Sequence, residues 1–464
     1  MSPEARSQRA DERAARADRR RRLTDFRRHG SQAPVPSPFR VRRLGERPGH
    51  QASSAHVQAA YPAISEPGLG TEGAFIGHLL TGGPFVYDPW LLYASSLLTN
   101  ANTISIGIPG YGKSALSKAY CYRQHLFGRS SEFVDPKGEY APLVAEMGGV
   151  VLRLEPGGVT RLNPLSRVGT DEMRCALLEA IVRAMLGRPL HQHEAVGLGG
   201  ALRAADHHQD DEVCIPHVVA QLRSPAQDSA DHLGMSLDEA RLQLRECMLA
   251  LVRLCEGPLR GMFDGPTTAG ENVWDAPAVS IDLSAMNSEA TADNLPLAIT
   301  MVCASAFLDA KRKQRYDQAR RAGREPQKVI RLNDEGWKAL PIAGLGEYYQ
   351  AAFKLSRDTG VQHWLVLHRL SDLKAAGDQG SRQQALAEGL LADASTVIVY
   401  RQAPNVIDQT ADLLGLTGAA RNRIGRYGKG VALWIVNGRT FEVQHFISDH
   451  EWPIVQTDTA MAPA

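Results

Sequence analysis

The sequence predicts an α/β protein, a mostly parallel β-sheet with helices on both faces, carrying an all-helical insertion. Three observations lead there. From Ala74 onward, short apolar runs alternate with stretches of helical period, the pattern of a sheet covered on both sides. One such run, TISIGI at 103–108, leads into a glycine-rich turn that opens a helix. Between 170 and 262 the alternation stops, and apolar residues recur every three to four positions instead.

The ends of the chain are different material. Residues 1–50 carry 14 Arg and no Lys against six acids, a net charge of +8, whereas positions 51–464 sum to −7. The stretch 1–73, with RADRRRR, PVPSPF and a Ser/Gly/Pro-rich run, cannot bury enough apolar surface to offset ordering entropy and reads as a basic, largely disordered tail. Its charge suits an electrostatic contact with DNA or an anionic membrane face, or a solubilising role. Residues 453–464 read as a disordered C-terminus.

The body of the chain follows in order. FVYDPW (85–90) and TISIGI read as strands, SALSKAYCYRQHLF as a helix, then EFVD (132–135) and VVLRL (150–154) as further strands. These make residues 74–169 the first part of the core. CALLEAIVRAML and SLDEARLQLRECMLALVRLCEG are amphipathic and place an all-α insertion at 170–262. Strands then return as AVSIDL, KVIRLNDE, HWLVLHR, TVIVYR, VALWIV and FEVQHFI, so that 263–452 is the second part of the core. Most of these runs are apolar throughout, as strands covered on both faces require.

Composition excludes several classes. No run approaches the roughly 18 apolar residues of a spanning helix; the nearest, LPLAITMVCASAFL at 295–308, reads as a buried core helix. The N-terminus lacks the apolar segment of a secretory signal, which points to a cytoplasmic protein. Six cysteines lie far apart without a C-x-x-C pair, so reduced core thiols are expected, and His191 and His193 lack a third clustered ligand.

The chemistry begins at Gly107-Ile-Pro-Gly-Tyr-Gly-Lys-Ser114, which matches G-x-x-x-x-G-K-[ST] between a strand and a helix. Here Gly107, Gly110 and Gly112 let the backbone curl so that the N–H groups of the loop, through Tyr111, Gly112, Lys113, Ser114 and Ala115, face the phosphates of ATP, helped by the helix N-terminus. Lys113 reaches the β- and γ-phosphates, and Ser114 is the first ligand of Mg2+. A hydrolase also needs an acidic strand end. KVIRLNDEGW supplies Asp334 as the second metal ligand and Glu335 as general base, although Arg331 and Asn333 make the strand unusually polar. The strands between these two motifs, with a glutamate base beside the aspartate, favour the ASCE group of P-loop NTPases and an ATP-hydrolysing reaction.

One stretch stands apart: FVDPKGEY at 133–140, about 20 residues after the phosphate loop, at the end of the next strand and on the same edge of the sheet. This aspartate-proline turn is similar to that of the HerA/FtsK superfamily, and the full DPKGEY form resembles the type IV secretion and conjugation ATPases of the VirB-four/TraC type. Further motifs match that family in order: FVYDPW, RLNP (161–164), GMFDGPTT (261–268), AVSIDLS, NDEGWKAL, FKLSRDTG and GVALWIVNGRTFEVQHF. The resemblance spans residues 75–452. It implies a RecA-like core and a homohexameric motor with ATP held between subunits. It also implies partners among inner-membrane secretion components and a place at the inner face of the bacterial membrane.

On this resemblance Asp135 couples the nucleotide edge to its neighbours, although Asp-Pro and Gly equally suit a capped turn. The polar sensor position falls on His368, where the superfamily often has Gln. An arginine finger from a neighbouring subunit is expected at Arg357, with Arg401 second. Only a short segment precedes the family match, and Pro109 and Tyr111 occupy loop positions that more often hold small residues. Three functions remain open: a secretion or conjugation ATPase, a DNA translocase of the same superfamily, and an ATP-binding scaffold with little turnover.

Overall fold

The computed structural model describes residues 68–208, 212–286, 294–340, 342–369, 386 and 388–456; the expectations for the tail up to residue 67 lie outside them. Among the described residues eleven strands form one sheet in the order β2-β1-β11-β10-β9-β3-β8-β7-β4-β6-β5. They are β1 (Ala74–Leu79), β2 (Pro84–Tyr87), β3 (Thr103–Ile106), β4 (Ser130–Asp135), β5 (Val150–Arg153), β6 (Ala278–Asp282), β7 (Val329–Asn333), β8 (Val361–Leu367), β9 (Thr396–Val399), β10 (Val431–Val436) and β11 (Arg439–His445).

The seven strands from β9 to β5 are parallel, and β10, β11, β1 and β2 extend them antiparallel. The parallel strands β9, β3, β8 and β7 are buried on both faces, while the edge strand β5 is not. Leu365, Leu367, Val397 and Val399 face one apolar cluster, whereas Trp364, Val366 and Ile398 face another. Near-continuous apolar runs are what such double burial demands.

Two strand expectations shift. FVYDPW is a strand only to Tyr87, because the Asp88 carboxylate caps a helix, Pro89–Ala94, by accepting from the N–H groups of Trp90 and Leu91 with Pro89 at its first position. The strand β1, AFIGHL, was not expected, since His78 and Gly77 interrupt its apolar pattern. Gly77 is there because a Cβ would lie 2.0 Å from the Gln444 carbonyl oxygen of β11.

Between 171 and 256 the described residues form six helices: α1 (Asp171–Leu186), α2 (Gln192–His208), α3 (Ile215–Arg223), α4 (Gln227–Leu233), α5 (Leu237–Gln243) and α6 (Arg245–Glu256). The apolar segment at 295–308 opens a long helix, α7 (Leu295–Arg321), buried along most of its first four turns. At the C-terminus the expected disorder from 453 needs correction. Trp452–Val455 is helical, and Ile454 and Val455 are buried, which anchors the chain to residue 455.

Candidate functional site

The ends of four parallel strands meet on one edge. Ile106 of β3 pairs with Leu367 of β8, Leu365 of β8 with Asn333 of β7, and Asn333 with Val134 of β4. The residues that follow these pairs, Gly107, His368, Asp334 and the DPKGEY turn, therefore emerge side by side. The single strand β8 lies between the phosphate-loop strand and the Asp-Glu strand.

The loop after β3 is built on glycine. Gly110 and Gly112 have φ of 81° and 101°, a region that side chains disfavour. At Gly107 a Cβ would meet that of Tyr400 at 2.5 Å. Gly112 caps the helix Lys113–His125, whose first turn carries Ser114 and Ala115, both half-buried. Lys113 is buried, and its ammonium donates to the carbonyls of Gly107 and, at 3.1 Å, of Ile108. These are bonds a phosphate oxygen would replace.

Asp334 and Glu335 leave β7 nearly inaccessible to solvent. Asp334 accepts from the Glu335 N–H at 3.0 Å and from the Tyr140 hydroxyl at 3.3 Å. Burial, and then the charge of Glu335, push its carboxyl above the usual range. Glu335 adopts a left-handed backbone, φ 52° and ψ 23°, a conformation that costs a non-glycine residue roughly 1–2 kcal/mol. Its Oε1 lies 2.5 Å from the Lys137 ammonium and 3.2 Å from His368 Nε2. Burial alone would raise this carboxyl, but hydrogen bonds from His368 and Lys137 outweigh it and hold it down to about 2.

The DPKGEY turn is now accounted for. The Asp135 carboxylate accepts from the backbone N–H groups of Lys137, Gly138 and Tyr140 at 3.1, 2.8 and 3.0 Å, so it caps the turn. Tyr140 stacks on Phe133 and sends its hydroxyl to Asp334. Lys118, buried, donates to the Glu139 carbonyl at 2.7 Å.

The structure therefore brings together Lys113, Ser114, Asp334, Glu335 and His368, and adds Lys137 and Tyr140, to which the sequence reading of the DPKGEY turn gave no role. Asp135 stands at this edge as the cap of its own loop. Arg357 is not brought there: it is exposed near the end of the helix Leu345–Thr359, which feeds the start of β8, at the edge opposite the phosphate loop. Arg401 instead lies beside the loop of its own chain, donating to the Tyr111 hydroxyl at 3.0 Å with its guanidinium 5.4 Å from that ring. This contact gives Tyr111 its place in the loop.

Farther off, RLNP and GMFDGPTT meet: Leu162 N–H bonds the Met262 carbonyl at 2.9 Å, and Asn163 N–H the Thr267 hydroxyl at 3.0 Å. The C-terminal hairpin supports the phosphate loop through the Gly430 N–H, which donates to the Tyr111 carbonyl at 3.1 Å.

A glycine loop, a buried acidic pair on a strand end and one strand between them define the RecA-like P-loop NTPase fold. Among solved structures the chain is similar to VirB4 of Thermoanaerobacter pseudethanolicus, with a TM-score of 0.65 and 17% identity over 82% of this chain and 98% of that one. It is similar also to the bacterial conjugative coupling protein TrwBΔN70, with a TM-score of 0.56 and 14% identity over 82% and 90%. The plasmid coupling protein TrwB in complex with ADP and Mg2+ gives 0.54 and 13% over 86% and 93%. The expected resemblance to secretion and conjugation ATPases is thus met in three dimensions. No protein-family model and no curated protein sequence matches the chain. Among the described residues no helix is long and apolar enough to cross a membrane.

Proposed function

We propose that the chain is an ATP-hydrolysing motor of a bacterial conjugation or type IV secretion apparatus, energising substrate transfer or channel assembly. The observation that carries this reading is the alignment of Lys113, Asp334, Glu335 and His368 on one sheet edge. The donors suit a magnesium nucleotide: Ser114 offers a hydroxyl oxygen, Asp334 a carboxylate, and such hard oxygen ligands fit Mg2+. The ion would neutralise charge on the phosphates. Lys113 exchanges its loop carbonyls for phosphate oxygens. Glu335 takes the proton of the attacking water, and His368 orients that carboxylate.

The motor acts as a homohexamer with ATP between subunits, seated at the inner face of the cell membrane on secretion components. Arg357, exposed and remote from its own site, is the arginine finger for a neighbour's site in this reading. A DNA translocase is the second reading, favoured by the Arg-rich tail.

ATP turnover measured against protein concentration, with and without double-stranded DNA, tests both, with Lys113→Ala as the blank. Turnover that rises cooperatively supports the ring. Stimulation by DNA that falls steeply with salt moves the reading to the translocase. In Glu335→Gln, ATP binding persists and steady turnover is lost; unchanged turnover would remove Glu335 from its role. Binding without turnover in the parent chain would leave the scaffold.

A further inference from the structure

The Lys137 side chain reaches out of its own turn. Asp135 fixes that turn through backbone N–H groups, including that of Lys137 itself, and Gly138 takes the left-handed position at φ 72°. The ammonium instead reaches across to β7 and meets Glu335 Oε1 at 2.5 Å, the same oxygen that faces His368. The two partners differ in access: the Lys137 side chain is 35% exposed and that of Glu335 only 5%. A carboxylate oxygen engaged by an ammonium and an imidazole has its lone pairs committed and its charge neutralised, which makes it a poor acceptor for a water proton. The exposed end of the pair is the one that can leave without stranding a group in the interior.

Building on the hydrolytic reading above, we infer that Lys137 is a positioning residue that holds Glu335 in a resting orientation, and that turnover requires its ammonium to swing away toward solvent. The DPKGEY turn then works as a brake on the base carried by the neighbouring strand. Lys118, Glu139, Asp135 and Asp334 surround Lys137 and shape the field it moves in. Asp135 and Gly138 leave the backbone still while the side chain moves.

The test is steady-state ATP turnover of the full chain carrying Lys137→Met, Lys137→Gln or Lys137→Arg, with binding of a fluorescent ATP analogue measured alongside. A charge-assisted bond of this kind predicts a kcat about tenfold higher in the Met and Gln variants, with KM unchanged. Lys137→Arg keeps the cation and stays near the parent rate. Lys137→Met combined with Glu335→Gln shows no gain, because the brake acts through Glu335. Equal or lower kcat in Lys137→Met and Lys137→Gln, with the parent active and all variants folded, overturns the inference and leaves the hydrolytic reading intact. Analogue binding without turnover in the parent and every Lys137 variant overturns both.

Discussion

Replacing Arg331 by Met should destabilise the fold by more than any single change at the nucleotide edge. The guanidinium is fully buried on β7, three residues ahead of Asp334, and is held between two carboxylates. Its Nε lies 2.8 Å from Glu132 on β4, and a terminal nitrogen bonds Asp309 on α7. Methionine nearly preserves the volume, so the loss comes from charge. Glu132 and Asp309, with side chains only 17% and 18% exposed, would lose the cation between them, and breaking such a pair by removing one partner costs about 3–5 kcal/mol.

That is a large share of a total folding free energy on the order of 5–15 kcal/mol. The sign of the pH effect follows from the same picture. Burial already raises the Asp309 carboxyl, with Arg331 opposing it; without Arg331 that carboxyl rises further above its unfolded value. Protonation then favours the folded variant, so its deficit is greatest at neutral pH and narrows as pH falls toward about 5. Urea denaturation of parent and variant at the two pH values measures this. Adding Glu132→Gln and Asp309→Asn to Arg331→Met should restore most of the loss at neutral pH. A deficit under about 1 kcal/mol, or one equal at both pH values, would refute the argument.

Other changes test the site and its surroundings. Tyr140→Phe removes the 3.3 Å hydroxyl bond to Asp334; at about 1 kcal/mol this raises the Mg2+ needed for half-maximal turnover about fivefold, and an unchanged titration would exclude the tyrosine from the metal site. Gly107→Ala places a methyl group against Tyr400 and should cost about 1–3 kcal/mol, read as a lower melting temperature together with weaker ATP binding. Glu194, almost fully buried, is held down to about 2 chiefly by its hydrogen bond to Arg188. This depressed carboxyl contributes about 2–3 kcal/mol above the ordinary glutamate range, lost as pH falls from about 5 toward 2. Acid unfolding of Glu194→Gln should therefore show a shallower limb than the parent.

The sheet edge was legible because strand ends carry their chemistry in sequence order: each apolar run finishes in Gly107, Asp135, Asp334 or His368, and parallel pairing makes those ends neighbours. The Asp88 cap was misread as strand because Tyr87 and Trp90 flank it with β-favouring rings, while the deciding feature is a side-chain bond to two backbone N–H groups. The polarity of β7 looked like a weakness of the motif. It is a buried ion network, which only the positions of Glu132 and Asp309 on other elements could show. Arg357 was taken from within the FKLSRDTG motif as a residue for a neighbouring subunit, and the sequence could not say that the helix carrying it delivers the chain to the far edge, away from its own site.

The DPKGEY turn posed a choice between a structural cap and a coupling device, and the structure divides the two roles between residues. With three backbone donors on it, the Asp135 carboxylate is committed chiefly to the turn, and what it transmits passes mainly through the backbone it fixes. The side chains so placed do the reaching: Tyr140 to Asp334 and Lys137 to Glu335. Proline and glycine make the turn, the aspartate locks it, and the lysine and tyrosine use that rigidity to touch both acids of the next strand. Replacing Asp135 by Asn should therefore disturb the acidic pair indirectly. The amide keeps one acceptor oxygen for three N–H donors, so the loop loosens and the contacts of both Lys137 and Tyr140 weaken together. A double-mutant cycle of Asp135→Asn with Tyr140→Phe, read by Mg2+ dependence, should give effects well short of additive; full additivity would mean that the cap and the coupling are independent.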